Sequence, residues 1–395
     1  MARKSYLGVD IGTSSIKIVE LANQNGQPAL VTYGFAEVET DLVRSNNPAS
    51  TQKVAKVLEA LVKKAKVSTN VCIAALPTFA VFNSIISLPR MSRKDLAAAV
   101  RWEAKKFIPL PLEEMILDWK VLAESEANVL GSGNPLLSQD LSSLFGKKKK
   151  ELSPEEQAKE LAKEQAKDTR EQQRAMAKVA QSEKENIRLL LTAAPKQLVA
   201  KYLEIFKSVK LDLLSLETEA FALSRSLIGN DETPTMIVDI GSLSTDIVII
   251  EKGVPILNRG LDIGGYNITK AIMNSLNVAF ERAEQFKIDF GVMSTDGNRG
   301  IPKTITDSLA PIVHEIQYVY DLYLNQGTLK LEKLILAGGS AFLPNLPNYL
   351  QDLVKIPTVI GNPWDRIVYP LDLKPVLDGI APQMASSIGL AMRDI

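Results

Sequence analysis

The chain has 395 residues, too many for one ordinary core, so two or more domains are expected. Its 46 basic and 46 acidic side chains cancel to a formal net charge of +0, which gives no steering toward nucleic acid or acidic lipid. A single cysteine, Cys72, excludes a disulfide framework and a thiolate metal cage, and a single histidine, His314, excludes a His-rich metal site and disfavours a Ser-His-Asp triad.

The first residues, MARKSYLGVDIGTSS, are basic, but their apolar run is broken at Asp10 and Gly12, unlike a signal peptide. No stretch reaches the roughly 18 apolar residues of a membrane helix, and the closing SSIGLAMRDI is too short for an amphipathic anchor. The expectation is a soluble cytoplasmic protein without direct membrane insertion. Residues 5–39 alternate apolar and polar between turn signals at Gly12, Asn25-Gly26 and Gly34, which predicts three antiparallel strands. Residues 50–66 repeat apolar positions at helical spacing, and VCIAALP reads as a buried strand that makes Cys72 inert core.

From Ser84 the texture changes to a short strand, SIISLP, and a helix, MSRKDLAAAVRWEAKKF. Ser92 stands three residues before Asp95, the spacing of a capping box, and Leu96, Val100 and Phe107 are expected on one inner face. Ile108-Pro109 and Pro111 end the helix, because proline disfavours helical geometry in the residue before it. MILDWKVL follows as a strand. Residues 123–186 then run through Lys147–Lys150 into a Glu/Lys/Gln/Ala tract. Ser153 and Pro154 would start a helix there, but no continuous apolar stripe follows, so a charged, flexible insertion is expected. IRLLLTAAP resumes as a strand, and residues 196–209 as an amphipathic helix. Strands are expected over 235–259, helices near 266–276, 279–289 and 303–325, and strand, glycine turn and helix in KLILAGGSAFLPNLPNYLQDLV. His314 lies in the longest of these helices as a structural or surface residue.

The chain writes one phrase twice. Val9-Asp10-Ile11-Gly12 aligns with Val238-Asp239-Ile240-Gly241, and Ser15 then falls on Ser244. An Asp-x-Gly-x-Ser/Thr turn is rich in backbone N–H donors that can cup phosphate oxygens. Its aspartate can hold a hydrated Mg²⁺, a hard cation that keeps waters. A single copy reads most simply as a polar tight turn, whereas two copies in register favour a shared ligand. Gly338-Gly339, after a buried strand, lets backbone approach a flat ligand. Gly264-Gly265 opens a helix, whose N-terminus favours anions. Glu284 and Lys287 stand at helical i, i+3 spacing and read either as site residues or as a surface ion pair.

Taken in order, Asp10-Ile-Gly-Thr, Glu219, Asp239-Ile-Gly-Ser, Gly264-Gly265, Glu284/Lys287 and Ala337-Gly338-Gly339-Ser340 resemble the actin/Hsp70/hexokinase ATPase superfamily. The resemblance implies a duplicated α/β fold that binds ATP and Mg²⁺. Asp10 and Asp239 would hold the metal, with Gly12, Thr13, Ser14 and Lys17 at the first phosphate loop and Gly241 and Ser242 at the second. Glu219 would orient the attacking water as the catalytic residue. Gly264, Gly265, Gly338, Gly339 and Ser340 would also bind the nucleotide, and Glu284 and Lys287 would reach its ribose and adenine. Leu243-Ser244 stands where many members carry glycine, so turnover is expected to be slow or negligible.

LPRMSRKDLAAAVRWEAKKFIPLPLEEMILDWKVL further resembles the inserted subdomain of the PilM family of type IV pilus assembly proteins, relatives of the division protein FtsA. The implied architecture is a first actin-like half at 1–83 and an inserted strand-helix-strand-strand subdomain at 84–190. The first half resumes at 191–232, a second half spans 233–383, and a closing helix at 384–395 returns to the first. The implied role is an ATP-binding component of the inner-membrane pilus assembly complex that serves twitching motility. It would bind the cytoplasmic N-terminal tail of PilN and link motor to alignment complex, with pilus motor ATPases as further partners. A monomer or weak self-association is implied, peripheral to the inner face of the membrane through its partner. The seam between the subdomain and the first half is the expected tail site, and Trp102 and Phe107 read either as its lining or as core. An FtsA-like division scaffold and a small-molecule kinase of the same fold are the alternatives.

Overall fold

The amino-terminal alternation becomes a hairpin ladder in the computed structural model, which describes residues 4–38, 45, 47–122, 186–292, 301–326 and 330–395. Strands β1 (Ser5–Ile11), β2 (Ser15–Gln24) and β3 (Gln27–Glu37) pair antiparallel, with Asp10 directly across from Lys17. Helix α1 (Pro48–Lys64) starts at Asn47, whose side chain accepts from the Ala49 N–H, and proline takes the first helical position, where its missing donor costs nothing. The charged tract expected at 123–186 lies outside the described residues, apart from Asn186.

Two units partition the described residues: one holds those up to Val81 and from Leu198 onward, the other those from Phe82 to Gln197. The second unit contains β4's successor strands. After β4 (Val71–Leu76) come β5 (Phe82–Pro89), α2 (Arg93–Ala104), β6 (Met115–Leu122) and β7 (Asn186–Pro195), and the last three strands form an antiparallel sheet in the order β5-β7-β6. Strand β7 pairs along its whole length and so runs past residue 190, through Pro195. Ser92 caps α2 by accepting from the Asp95 N–H at 3.3 Å. Leu96 and Val100 are buried on the sheet as expected. Phe107 is not: it is 50% exposed. The helix ends at Ala104, because Pro109 forces the chain out of helical geometry, and Ile108 takes the core place instead.

The first unit contains two five-stranded sheets with one connectivity. The first has the order β3-β2-β1-β4-β8, reached through α3 (Lys196–Val209) and β8 (Asp212–Thr218). Helix α4 (Glu219–Leu223) then runs into a widened turn, Ser224–Ile228. Next come β9 (Thr235–Ile240), β10 (Thr245–Glu251), β11 (Val254–Leu261), α5 (Gly265–Leu276), α6 (Phe280–Phe290), α7 (Ile301–Gln326), β12 (Lys333–Ala337), α8 (Leu346–Val354) and β13 (Thr358–Ile360). The second sheet has the order β11-β10-β9-β12-β13, again three antiparallel strands followed by two parallel ones.

What seats the site is how the sheets are covered. One face of the second sheet buries Val238, Ile247 and Leu336 under α5 and α7. Its other face packs Ile237, Val248 and Ile335 against Ala220 and Leu223 of α4. The first sheet packs Ile73 and Ala75 against Ala222 of the same short helix. Glu219 therefore opens a helix clamped by both sheets. After α9 (Lys374–Asp378), helix α10 (Ala385–Ala391) is buried at every residue. It lies so close that a Cβ on Gly389 would stand 1.8 Å from the Ala222 carbonyl oxygen, and one on Gly8 of β1 1.9 Å from that of Ser387. Only glycine fits at either contact. Among the described residues no helix is long and apolar enough to cross a membrane.

Candidate functional site

The repeated phrase folds into one turn made twice. The Gly12 N–H donates to the Ser15 carbonyl at 2.9 Å, and the Gly241 N–H to that of Ser244 at 2.9 Å. Thr13 and Ser14 fill the first turn, Ser242 the second, all half-buried. Beside the first turn Lys17 Nζ donates to Asp10 Oδ2 at 3.1 Å. Burial works against the Lys17 charge, but Asp10, with Asp239 and Glu219 further off, holds its pKa above the ordinary lysine value. At the matching place beside the second turn stands another acid, Asp246, across the ladder from Asp239.

Four carboxylates thus converge where the two sheets meet α4. Glu219 accepts from Thr78 Oγ1 at 3.0 Å. Surrounding protein strips its water, and Asp246, Asp10 and Asp239 add like charge, so its pKa lies well above the usual carboxylate range despite the Thr78 bond. Asp239 is pushed up to about 6 by burial, with Lys17 pulling it down and Asp10 up. Asp246 is pushed up to about 8, by burial and then by Asp239. Asp246 Oδ1 has no hydrogen-bond partner among the described residues. The cluster is short of positive charge and of donors, which a hydrated divalent cation supplies together. Among the described residues no three acidic, histidine or cysteine side chains converge to grip a bare metal ion; a cation held through its own waters suits Mg²⁺.

The second half builds the neighbouring wall. The N–H groups that open α5 are not turned outward: Gly265 donates to the Gly241 carbonyl at 2.9 Å and Tyr266 to that of Ser242 at 2.8 Å. Gly264 approaches so closely that a Cβ would stand 2.5 Å from the Ser242 oxygen. The Gly264-Gly265 pair therefore pins the second loop instead of offering a free anion site. Lys287 Nζ donates to Glu284 Oε1 at 2.7 Å and to Thr269 Oγ1 at 2.9 Å, and Thr269 also donates to Glu284. This knot is a half-buried arrangement of donor and acceptor groups suited to sugar hydroxyls. Gly338 has φ +80°, and a Cβ there would meet Asp239 Oδ1 at 2.4 Å, so this glycine lets β12 turn over the aspartate. Ser340 Oγ lies 3.5 Å from the Gly241 carbonyl, and Gly339 faces open space but for Gln383.

Glu217, two residues before Glu219, has a different occupation. Arg393 Nε reaches its Oε1 at 2.6 Å, and Arg225 pairs with its Oε2. Arg225 also donates from Nε to the Gly389 carbonyl at 2.8 Å, so the group ties β8, the widened turn and α10 together. Sequence reasoning missed Thr78, Asp246 and Thr269. Asp246 could have been found, since the repeat places it seven residues after Asp239, as Lys17 is after Asp10.

The profile of the family described as type IV pilus assembly protein PilM matches residues 8–138 and 174–395. A chain of the solved PilM-PilN type IV pilus biogenesis complex is 25% identical, superposes with a TM-score of 0.75, and the match covers 99% of both chains. Ethanolamine utilization protein EutJ from Carboxydothermus hydrogenoformans is 14% identical with a TM-score of 0.51, over 100% of this chain and 91% of its own. Cell division protein FtsA of Staphylococcus epidermidis is 23% identical over 191 residues, which is 43% of this chain and 41% of that protein. The match thus spans about two fifths of the curated relative's length. With the twice-repeated sheet order, the fold is the actin-like ATPase fold, with a strand-helix-strand-strand unit between β4 and α3.

Proposed function

The chain belongs to the type IV pilus assembly protein PilM family, and on that premise we propose that it binds ATP–Mg²⁺ between its two repeated loops and holds the cytoplasmic N-terminal tail of a PilN-type membrane protein. That partner brings it to the inner face of the cytoplasmic membrane, where it links the pilus motor to the alignment complex. The pilus motor ATPases are further partners in the same reading.

One observation carries the nucleotide assignment: the two glycine turns set Asp10 and Asp239 into one electrostatically coupled cluster with Glu219. Asp10 and Asp239 hold the hydrated metal, while the turns at Gly12-Thr13-Ser14 and Gly241-Ser242 line the phosphates. Lys17 offsets the negative charge there, and Glu284 and Lys287 meet the ribose. Bound ATP supplies a phosphoryl group transferable to water, a reaction catalysed by positioning and charge. Glu219 orients that water from the start of a helix that both sheets immobilise. Leu243-Ser244 in place of a glycine stiffens the second turn, in keeping with slow turnover and a mainly structural or switching role for the nucleotide.

The partner assignment is supported by the 25% identity, over 99% of the chain, to a chain of the PilM-PilN complex. The test is a thermal shift with ATP–Mg²⁺, followed by calorimetry with a PilN-type N-terminal peptide, with and without nucleotide. A melting temperature that ATP–Mg²⁺ leaves unmoved removes the nucleotide assignment. A folded, ATP-loaded protein that ignores the peptide removes the partner assignment and moves a division-scaffold role ahead.

A further inference from the structure

We propose that Thr78 is a positioning residue of this site: its hydroxyl anchors one Glu219 oxygen so that the other faces the attacking water. The inference rests on the nucleotide reading above and goes one residue beyond it.

Thr78 is buried, and its Oγ1 donates to Glu219 Oε2 at 3.0 Å. The topology brings the two together. Strands β4 and β8 run parallel and end level, Leu76 beside Thr218. Each strand then hands over to a helical turn. Glu219 opens α4, while Pro77, in extended backbone, leads into a single turn at Thr78–Ala80. That turn is closed by its own backbone: the Ala80 N–H donates to the Pro77 carbonyl at 3.0 Å, and the Val81 N–H to that of Thr78 at 3.2 Å. It also abuts the second sheet, where a Cβ on Gly260 would stand 3.9 Å from the Phe79 backbone and 3.0 Å from Asp246 Oδ1. The first sheet thus carries the donor, and the second backs the turn that presents it.

A carboxylate is planar and turns about its last side-chain bond with little resistance. Anchoring one oxygen removes that freedom and sets the place of the other. Asp246 also meets both Glu219 and Thr78. Two carboxyl groups bond to each other only while a proton lies between them, whereas a hydroxyl donor serves an ionised acceptor. Burial, Asp246, Asp10 and Asp239 oppose the Glu219 charge, and the Thr78 bond favours it. Thr78 therefore steadies Glu219 in the form that accepts a hydrogen bond from water.

Thr78→Val removes the hydroxyl and keeps the branched shape, whereas Thr78→Ser keeps the hydroxyl. Single-turnover release of labelled phosphate should fall about tenfold in Thr78→Val, the loss expected for one hydrogen bond to a charged acceptor. Calorimetric affinity for ATP–Mg²⁺ should stay within about twofold, and Thr78→Ser should restore most of the rate. Unliganded stability by denaturant unfolding gives a readout independent of turnover. Thr78→Val should lower it in the wild type but not in a Glu219→Ala background, where the acceptor is gone.

An unchanged release rate in Thr78→Val overturns the proposal, as does an equal loss of stability with and without the Glu219 side chain. A tenfold loss that Thr78→Ser shares also overturns it, by tying the effect to the methyl group. A matching loss of ATP–Mg²⁺ affinity does the same, as the mark of a damaged site. A wild type that binds ATP–Mg²⁺ and releases no phosphate overturns this inference and leaves the nucleotide site standing. One that binds no ATP–Mg²⁺ overturns both.

Discussion

Lys17 and Asp246 hold the same place in the two copies of the hairpin, each directly across the ladder from the aspartate before its glycine turn, Lys17 from Asp10 and Asp246 from Asp239. The first copy closes an ion pair, while the second sets two acids against each other, an unfavourable cross-strand pairing. The cost appears in proton binding. Unfolded carboxylates titrate near 4, whereas Asp239 and Asp246 are pushed up to about 6 and about 8. Across that window the folded protein binds more protons than the unfolded chain, so its stability falls as pH rises. The unliganded melting temperature should therefore drop from about pH 5 to 8, and Asp246→Asn should flatten the slope. Asp118 in the other unit, pushed up to about 7 by burial, adds the same sign, so the comparison with the variant is the readout. Superimposable profiles for the two proteins would contradict the assignment.

Asp10→Ala and Asp239→Ala should each weaken ATP binding and shrink its thermal stabilisation. Ligand at about 100 times its dissociation constant stabilises by about 2.7 kcal/mol, a shift of several degrees for a protein of this size. Scanning fluorimetry with ATP–Mg²⁺ should find that shift in the wild type and little of it in either variant. Full retention in both would move the metal away from these aspartates.

Glu219 and Glu217 should respond in opposite ways to loss of charge. Glu219→Gln should keep nucleotide affinity nearly intact while lowering any hydrolysis, measured by single-turnover release of labelled phosphate. Glu217→Gln strips the counter-ion from Arg225 and Arg393, and breaking a buried pair costs about 3 kcal/mol. Its signature is a lowered melting temperature with an unchanged nucleotide-induced increment. An exchange of these two phenotypes would reverse the roles.

Phe107 stands half in solvent just beyond α2, where an apolar ring gains little from the fold. Phe107→Ala should leave stability within about 0.5 kcal/mol. If the ring belongs to the tail site, the variant should weaken binding of a PilN-type peptide without changing ATP affinity, which calorimetry with each ligand separates. Unaltered peptide binding would place the tail elsewhere.

The duplicated ladder was legible because a strand hairpin writes itself in local code, with alternation of period two and a turn that needs glycine. The order Asp10 to Gly12 and Asp239 to Gly241 could be read before any contact was known, and it carried the fold. Tyr202 and Thr78 could not be read this way. Thr78 reaches Glu219 only after β4 has paired beside β8, Tyr202 is buried by the same folding, and nothing in their neighbours' sequence marks either event. Phe107 was misplaced for the converse reason: helical spacing was extended three residues past Ala104, although Pro109 already limited the helix. The helix-opening Gly264-Gly265 was legible as a special backbone, but its work is inward, holding Ser242, and only the fold shows which partner a glycine serves.

The contact between Gly389 and Ala222 sets an order of events in synthesis. A nascent chain emerges from its N-terminus, and domains usually fold as they appear. Here the helix that Glu219 opens rests against residues made much later than itself, and β1 leans by Gly8 on Ser387. Until residue 391 has left the ribosome, the first sheet has no partner for that surface, and the acids of the second loop have no fixed neighbour. The site is thus finished only after both sheets have been made and α10 has been seated between them.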